Sequence, residues 1–282
     1  MPAAEPLAEP SVPAYTHGYG AAVLDSHRTR TAENSAAHLL PHLRPGQRLL
    51  DVGSGAGTIT ADLARIVGPE NVTALEVSEE AAALTCAELA RQGLHAAEVR
   101  VGDARDTGLE AGSFDVVHAH QVLQHVPGPV EALVEMHRLT RPGGIVAVRD
   151  SDYEGFRWYP ESPGIDRWRE LYLRATRANG GTPDAGRRLL SWAQEAGFED
   201  VTPGASTWLH ATPEARRAWA ETCAGRLESG PFAAQLAREG WAEAEERQEL
   251  ADAFRRWAEE PDGWFALLHG EILARASTAP PR

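Results

Sequence analysis

The 282-residue chain contains no lysine, and all 27 of its basic residues are arginine. Without an amine side chain, a pyridoxal-phosphate Schiff base and a P-loop lysine are both excluded. Basic charge is also outweighed, 27 residues against 41 acidic ones, for a formal net charge of −14. Binding to a phosphate backbone depends on cations that neutralise phosphates, so no nucleic-acid partner is expected. Cysteine is scarce. Cys86 and Cys223 stand alone in separate segments, which points to a reduced, cytoplasmic protein rather than a disulfide scaffold. No run approaches the ~18 apolar residues of a membrane span, and the N-terminus lacks the basic-then-apolar layout of a signal peptide, so no membrane partner is expected. Tryptophan is missing from the first half. All eight lie at positions 158, 168, 192, 208, 219, 241, 257 and 264.

What is present begins with Leu49-Leu50-Asp51-Val52-Gly53-Ser54-Gly55-Ala56-Gly57, an apolar strand running into glycines at every second position. Such glycines let the backbone turn sharply and approach a ligand with no Cβ in the way, and the helix that follows aims unpaired N–H groups at it. Thr58 to Ile66 is expected to be that helix, with Ile59, Leu63 and Ile66 on one face. A dinucleotide-binding turn would carry a further glycine where this chain has Thr58. A second strand, Asn71 to Leu75, ends at Glu76, where an acid can accept both hydroxyls of a ribose. Ser78 is the expected N-cap of the next helix, which closes at Gly93. Strands follow at Ala97 to Val101, Phe114 to Val117 and Ile145 to Arg149.

Gly53-x-Gly55-x-Gly57 resembles motif I of the class I S-adenosylmethionine-dependent methyltransferases, and Gly102-Asp103-Ala104 resembles that family's adenine-binding acid. Four such motifs, the last two at His118 to His125 and Leu139 to Gly144, come in the family's order. The resemblance spans about residues 14 to 210 and is nearest to the small-molecule branch typified by ubiquinone and menaquinone biosynthesis enzymes. It implies a doubly wound, mostly parallel, seven-stranded α/β sheet with an N-terminal helical lid and an inserted helical cap. On this reading residues 1–45 are a tail and lid, 46–210 the cofactor-binding core, 211–262 the cap, and 263–282 the final antiparallel strand and tail. Within the cap, Leu250, Phe254 and Trp257 form an apolar helix face. Thr182-Pro183 opens a helix that closes at Gly197 and turns Leu189, Leu190 and Ala193 inward, and Asp200 to Leu209 is a sixth strand.

S-adenosylmethionine is thus the expected cofactor. Its expected contacts are Tyr19, Arg30, Asp51, Gly53, Ser54, Gly55, Gly57, Thr58, Glu76, Val77, Ser78, Gly102, Asp103, Ala104, His120 and Gln121. Arg30 would pair with the methionyl carboxylate, and Tyr15 or Tyr19 would face the sulfonium. Methyl transfer needs alignment above all, and the acceptor needs at most a base. His125 is the first choice because histidine titrates near neutrality, followed by His120, Tyr15 and Asp152, with Asp150 beside the last. Tyr153, Trp158 and Tyr159 are the expected substrate contacts, whereas Trp168 and Tyr172, four apart on one helix, read as packing. His118, His120 and His125 could in principle share a metal, but no cysteine or paired carboxylate completes a ligand set, so none is expected.

The acceptor expected is a small aromatic or heteroaromatic natural-product intermediate, methylated on carbon. The N-terminal pattern and the tryptophan-rich cap also resemble bacterial indole C3-methyltransferases. Amino-methylating DNA enzymes of the class carry Asn or Asp and two prolines after strand four, where this chain has His120-Gln121-Val122-Leu123. Oxygen or nitrogen methylation is the nearer alternative; an NAD(P)-dependent oxidoreductase or a non-catalytic cofactor-binding protein are the alternatives of another kind. The sequence leaves a homodimer open.

Overall fold

The computed structural model describes residues 29–277. β1 (Leu49–Val52) is buried at every position, as expected of a strand with helices on both faces. It pairs in parallel with β2 (Val72–Glu76) on one side and β4 (Phe114–His120) on the other. β3 (Glu98–Val101) closes one edge of the sheet with largely exposed, charged side chains that discourage further pairing. On the other side β5 (Thr140–Ser151) follows β4 in parallel.

Chain order then breaks. β8 (Trp264–Arg275) inserts antiparallel between β5 and β7 (Asp200–His210), as the resemblance implied. The seven expected strands are joined by an eighth, β6 (Arg157–Tyr159), which pairs with the start of β8. The sheet order is β3-β2-β1-β4-β5-β8-β6, with β7 on the far side of β8.

Three apolar clusters hold the sheet and its cover. One packs Leu39, Leu43 and the helix Thr58–Val67 against one sheet face. A second packs the helices Pro129–Leu139 and Ala185–Glu195 against the other. The third lies beyond the strand ends, where Leu250, Phe254 and Trp257 meet Trp168, Tyr172 and Phe265. The helices Pro163–Ala178, Pro213–Glu228, Gly230–Arg238 and Ala244–Ala258 share this cluster.

The helix expected from Thr182 starts instead at Ala185, because the two preceding residues give their backbone groups elsewhere. Thr182 N–H donates to Gln124 O at 2.8 Å, and Pro183 O accepts from Tyr153 N–H at 2.9 Å. The inward face also differs: Trp192, three residues after Leu189, is buried, while Leu190 is only half-buried.

Candidate active site

The principal cavity opens beyond the carboxyl ends of the parallel strands, where open α/β sheets bind their ligands. Its floor is the turn after β1. Gly53, Gly55 and Gly57 have φ of +71°, +56° and +78°, values that side chains disfavour. A Cβ on Gly53 would lie 2.4 Å from Val122 Cγ2, so only glycine lets the turn and the loop after β4 approach so closely. Gly57 caps the helix Thr58–Val67, whose first residue, Thr58, lines the cavity.

Glu76 ends β2 at the cavity wall and is only 7% exposed. Its carboxylate accepts hydrogen bonds from the backbone N–H of Gly55 and, at 3.2 Å, of Val77. Burial raises its pKa against the pull of those two bonds. Val77, Gly102, Asp103 and Ala104 continue the wall. Asp103 pairs with Arg105, also at the wall, whose Nη2 lies 2.6 Å from its carboxylate and holds its pKa below the usual range.

The opposite wall is the loop after β4. Gln121 is the one described non-glycine residue with positive φ, +54°, a conformation that costs about 1–3 kcal/mol and is characteristic of functional positions. Its backbone N–H donates to Arg149 O at 2.7 Å, and its side-chain oxygen accepts from Arg30 Nη2 at 3.0 Å. Its amide nitrogen lies 2.8 Å from His269 Nε2. Arg30, His120, Gln121 and His125 all reach the cavity. Beneath this loop the Asp150 carboxylate accepts the N–H groups of Leu123 and Gln124 at 3.1 and 3.3 Å, and burial pushes its pKa up to about 7.

Other expected contacts are spent elsewhere. Asp51 does not line the cavity: one carboxylate oxygen accepts Thr60 Oγ1–H at 2.5 Å and the other lies 2.7 Å from His118 Nδ1, all buried beneath the turn. Ser78 caps the next helix by accepting Ala81 N–H at 3.3 Å. Asp152 is not placed to act as a base, because Arg187 grips both its oxygens at 2.6 and 2.8 Å. Tyr153 belongs to the third apolar cluster, its ring 4.1 Å from that of Tyr172. Trp158 stacks on Phe265 at 5.3 Å and Tyr159 is 56% exposed, and neither lines the cavity, since both ride on β6. Tyr15 and Tyr19 lie outside the described residues.

The histidines differ from the expectation of a near-neutral base. Burial, together with the charges of Arg30 and Arg226, lowers His125 to about 3. His120 is held well below its ordinary value, by burial first and then by Arg30 and Arg149. Both rings are neutral at physiological pH and weak proton acceptors. Among the described residues, no three His, Cys, Asp or Glu side chains converge as a metal set, and no helix is long and apolar enough to cross a membrane.

Three neighbours of the cavity were not anticipated. Arg149, Trp208 and His269 meet at the junction of β5, β7 and β8, with the Arg149 guanidinium 4.8 Å from the Trp208 ring and that ring 4.7 Å from His269. The one available signal was Arg149 itself, a charge closing the otherwise apolar run Ile145 to Val148.

A glycine-built turn, a buried acid at the end of the adjoining strand and a cleft at the switch point of the sheet define a nucleoside-cofactor enzyme of the α/β class. Residues 50–148 match the methyltransferase domain family. An uncharacterized methyltransferase of Schizosaccharomyces pombe is 31% identical over 268 residues, covering 92% of this chain and 95% of its own. A protein named as a probable methyltransferase of Aspergillus luteorubrus is 30% identical over 284 residues, covering 92% and 96%. The structure of a candidate methyltransferase from Bacillus halodurans superposes with a TM-score of 0.57 at 20% identity, covering 86% of this chain and 98% of that one, which establishes likeness of fold. The chain belongs to the methyltransferase family, for which S-adenosylmethionine is the methyl donor.

Proposed function

We propose that the protein methylates a small aromatic or heteroaromatic natural-product intermediate, with carbon as the favoured acceptor atom. The observation that carries the cofactor side of this reading is Glu76, a buried carboxylate held by the N–H groups of Gly55 and Val77 at the cavity wall, where an adenosyl ribose can be gripped. Gly53, Ser54, Gly55 and Thr58 form the cradle, Val77 and Gly102 to Ala104 the adenine side, and Arg30 with Gln121 the methionyl side. Bound there, S-adenosylmethionine would supply a methyl group already activated by its sulfonium.

His120 and His125 favour an acceptor that brings its own electron density. Rings held neutral with depressed pKa values are poor at removing a proton from an unactivated hydroxyl. An electron-rich ring carbon or an already ionised oxygen needs no stronger base, and the two rings then orient the acceptor.

The test has two stages. S-adenosylhomocysteine should raise the melting temperature and NAD should not; stabilisation by NAD alone overturns the reading. Labelled methyl transfer into indoles, phenols and quinol precursors should then give a product, and bound cofactor with no product across the panel would leave a non-catalytic binding protein. Glu76→Ala should weaken S-adenosylhomocysteine by about 1–3 kcal/mol, roughly 5- to 150-fold, by calorimetry. Unchanged affinity would remove Glu76 from the ribose.

A further inference from the structure

Behind the cavity wall lies a group of buried nitrogen atoms without hydrogen-bond partners. Both terminal nitrogens of Arg149, both ring nitrogens of His120, both of His38 and Nε2 of His118 are in this state. Buried polar atoms are almost always paired, so several orphans together mark a place where something else binds. Arg149 is 1% exposed, His118 0% and His120 5%.

The sheet brings them together. Arg149 stands beside His120 across the β4–β5 ladder and beside Glu271 across the β5–β8 ladder, so the three side chains share a face. Glu271 answers only part of the guanidinium, accepting from Nε at 3.1 Å while also accepting Ser206 Oγ–H at 2.5 Å. Trp208 covers the guanidinium from the side, and its own N–H is given to Asn34 O at 2.7 Å. His120 belongs both to this group and to the cavity wall, and so links the two.

A guanidinium with two buried, unshared amino groups presents the fork that a carboxylate fills with two parallel hydrogen bonds. Of the two acids whose charges act on it, Glu271 takes Nε and Asp150 is spent on the N–H groups of Leu123 and Gln124, so neither answers the two amino groups. We propose that Arg149, with His120 at the entrance and Trp208 as the covering ring, is the subsite for a carboxylate carried by the methyl acceptor. The proposal rests on the methyltransferase reading and names the chemical class of its acceptor.

Calorimetry with matched probes tests this, using indole-3-acetate against indole-3-acetamide and 4-hydroxybenzoate against 4-hydroxybenzamide. Each pair is titrated into the wild-type protein with and without S-adenosylhomocysteine. At least one acid should bind tenfold or more tightly than its amide. Arg149→Gln should abolish that preference while leaving the S-adenosylhomocysteine dissociation constant within twofold, and Arg149→Lys should recover only part of it. If no acid outbinds its amide on the wild-type protein, the proposal is overturned and the orphan nitrogens are hydrated by water alone. If Arg149→Gln weakens S-adenosylhomocysteine as much as the acid, the proposal is likewise overturned, and the group serves the methionyl carboxylate. Failure of S-adenosylhomocysteine to bind, with the acid preference intact, would sink the methyltransferase reading and leave the carboxylate subsite standing.

Discussion

Lowering the pH from 7.5 to 5 should destabilise the protein. His38 and His125 are both lowered to about 3, and His120 and His269 lie well below their ordinary value, all with burial as the leading cause. In the unfolded chain each takes up a proton near pH 6.5, whereas the fold keeps it neutral. Their contribution is therefore intact above pH 6.5 and is lost as pH falls. At pH 5 His38 and His125 each cost about 2 kcal/mol, and His120 and His269 add to the loss in the same direction. Asp150, raised to about 7 by burial, works the other way. Its carboxyl disfavours the fold at neutral pH and returns about 2 kcal/mol by pH 5, so the net loss remains substantial. Thermal melts at pH 7.5, 6 and 5 check the result, and His269→Gln should flatten the profile. A melting temperature that is constant or rising toward pH 5 would contradict it.

Gly53→Ala should be strongly damaging to both stability and cofactor binding. At φ +71° an alanine carries a left-handed strain of about 1–2 kcal/mol, and its Cβ would sit 2.4 Å from Val122 Cγ2. Forced overpacking adds about 1–3 kcal/mol, because valine is branched at Cβ and cannot swing aside. The loop carrying Gln121 and His125 must then move, so cofactor affinity should fall at least tenfold. Gly46→Ala provides the comparison, since its φ of +83° brings the strain but nothing lies within 4 Å of the added carbon. It should cost about 1 kcal/mol and leave binding alone. Denaturant unfolding with calorimetry on both variants, and on Gly53→Ala combined with Val122→Ala, separates strain from clash. A double variant no better than the single one would show that the contact with Val122 is not the cause.

The elements that frame the cofactor were legible because each rests on a local signal. Glycines at every second position after an apolar strand dictate the turn, and the serine before the run from Glu79 dictates the cap. Glu76 stood out because a strand placed it at an end. What was not legible depends on which strand lies beside which. Asp51 faces His118 directly across the β1–β4 ladder and is consumed there, a pairing that no spacing along the chain discloses. Asp152 is taken by Arg187 from a helix 35 residues on. The reactive-looking run Tyr153 to Tyr159 folds away from the cavity, because Tyr153 is drawn into the aromatic cluster and the rest pairs with β8. Arg149, Trp208 and His269 come from three strands, two of them reached only late in the chain.

That lateness bears on biosynthesis. β8 holds β5 and β7 together and carries His269 and Glu271, yet it leaves the ribosome after all of β1 to β7. A nascent chain can assemble β1 to β4 early, but β5 keeps an open edge and Arg149 lacks its partner Glu271 until β8 threads in. A product terminated before residue 264 would therefore present unpaired edges and a bare guanidinium, marking it for chaperones or proteolysis before it could engage a metabolite.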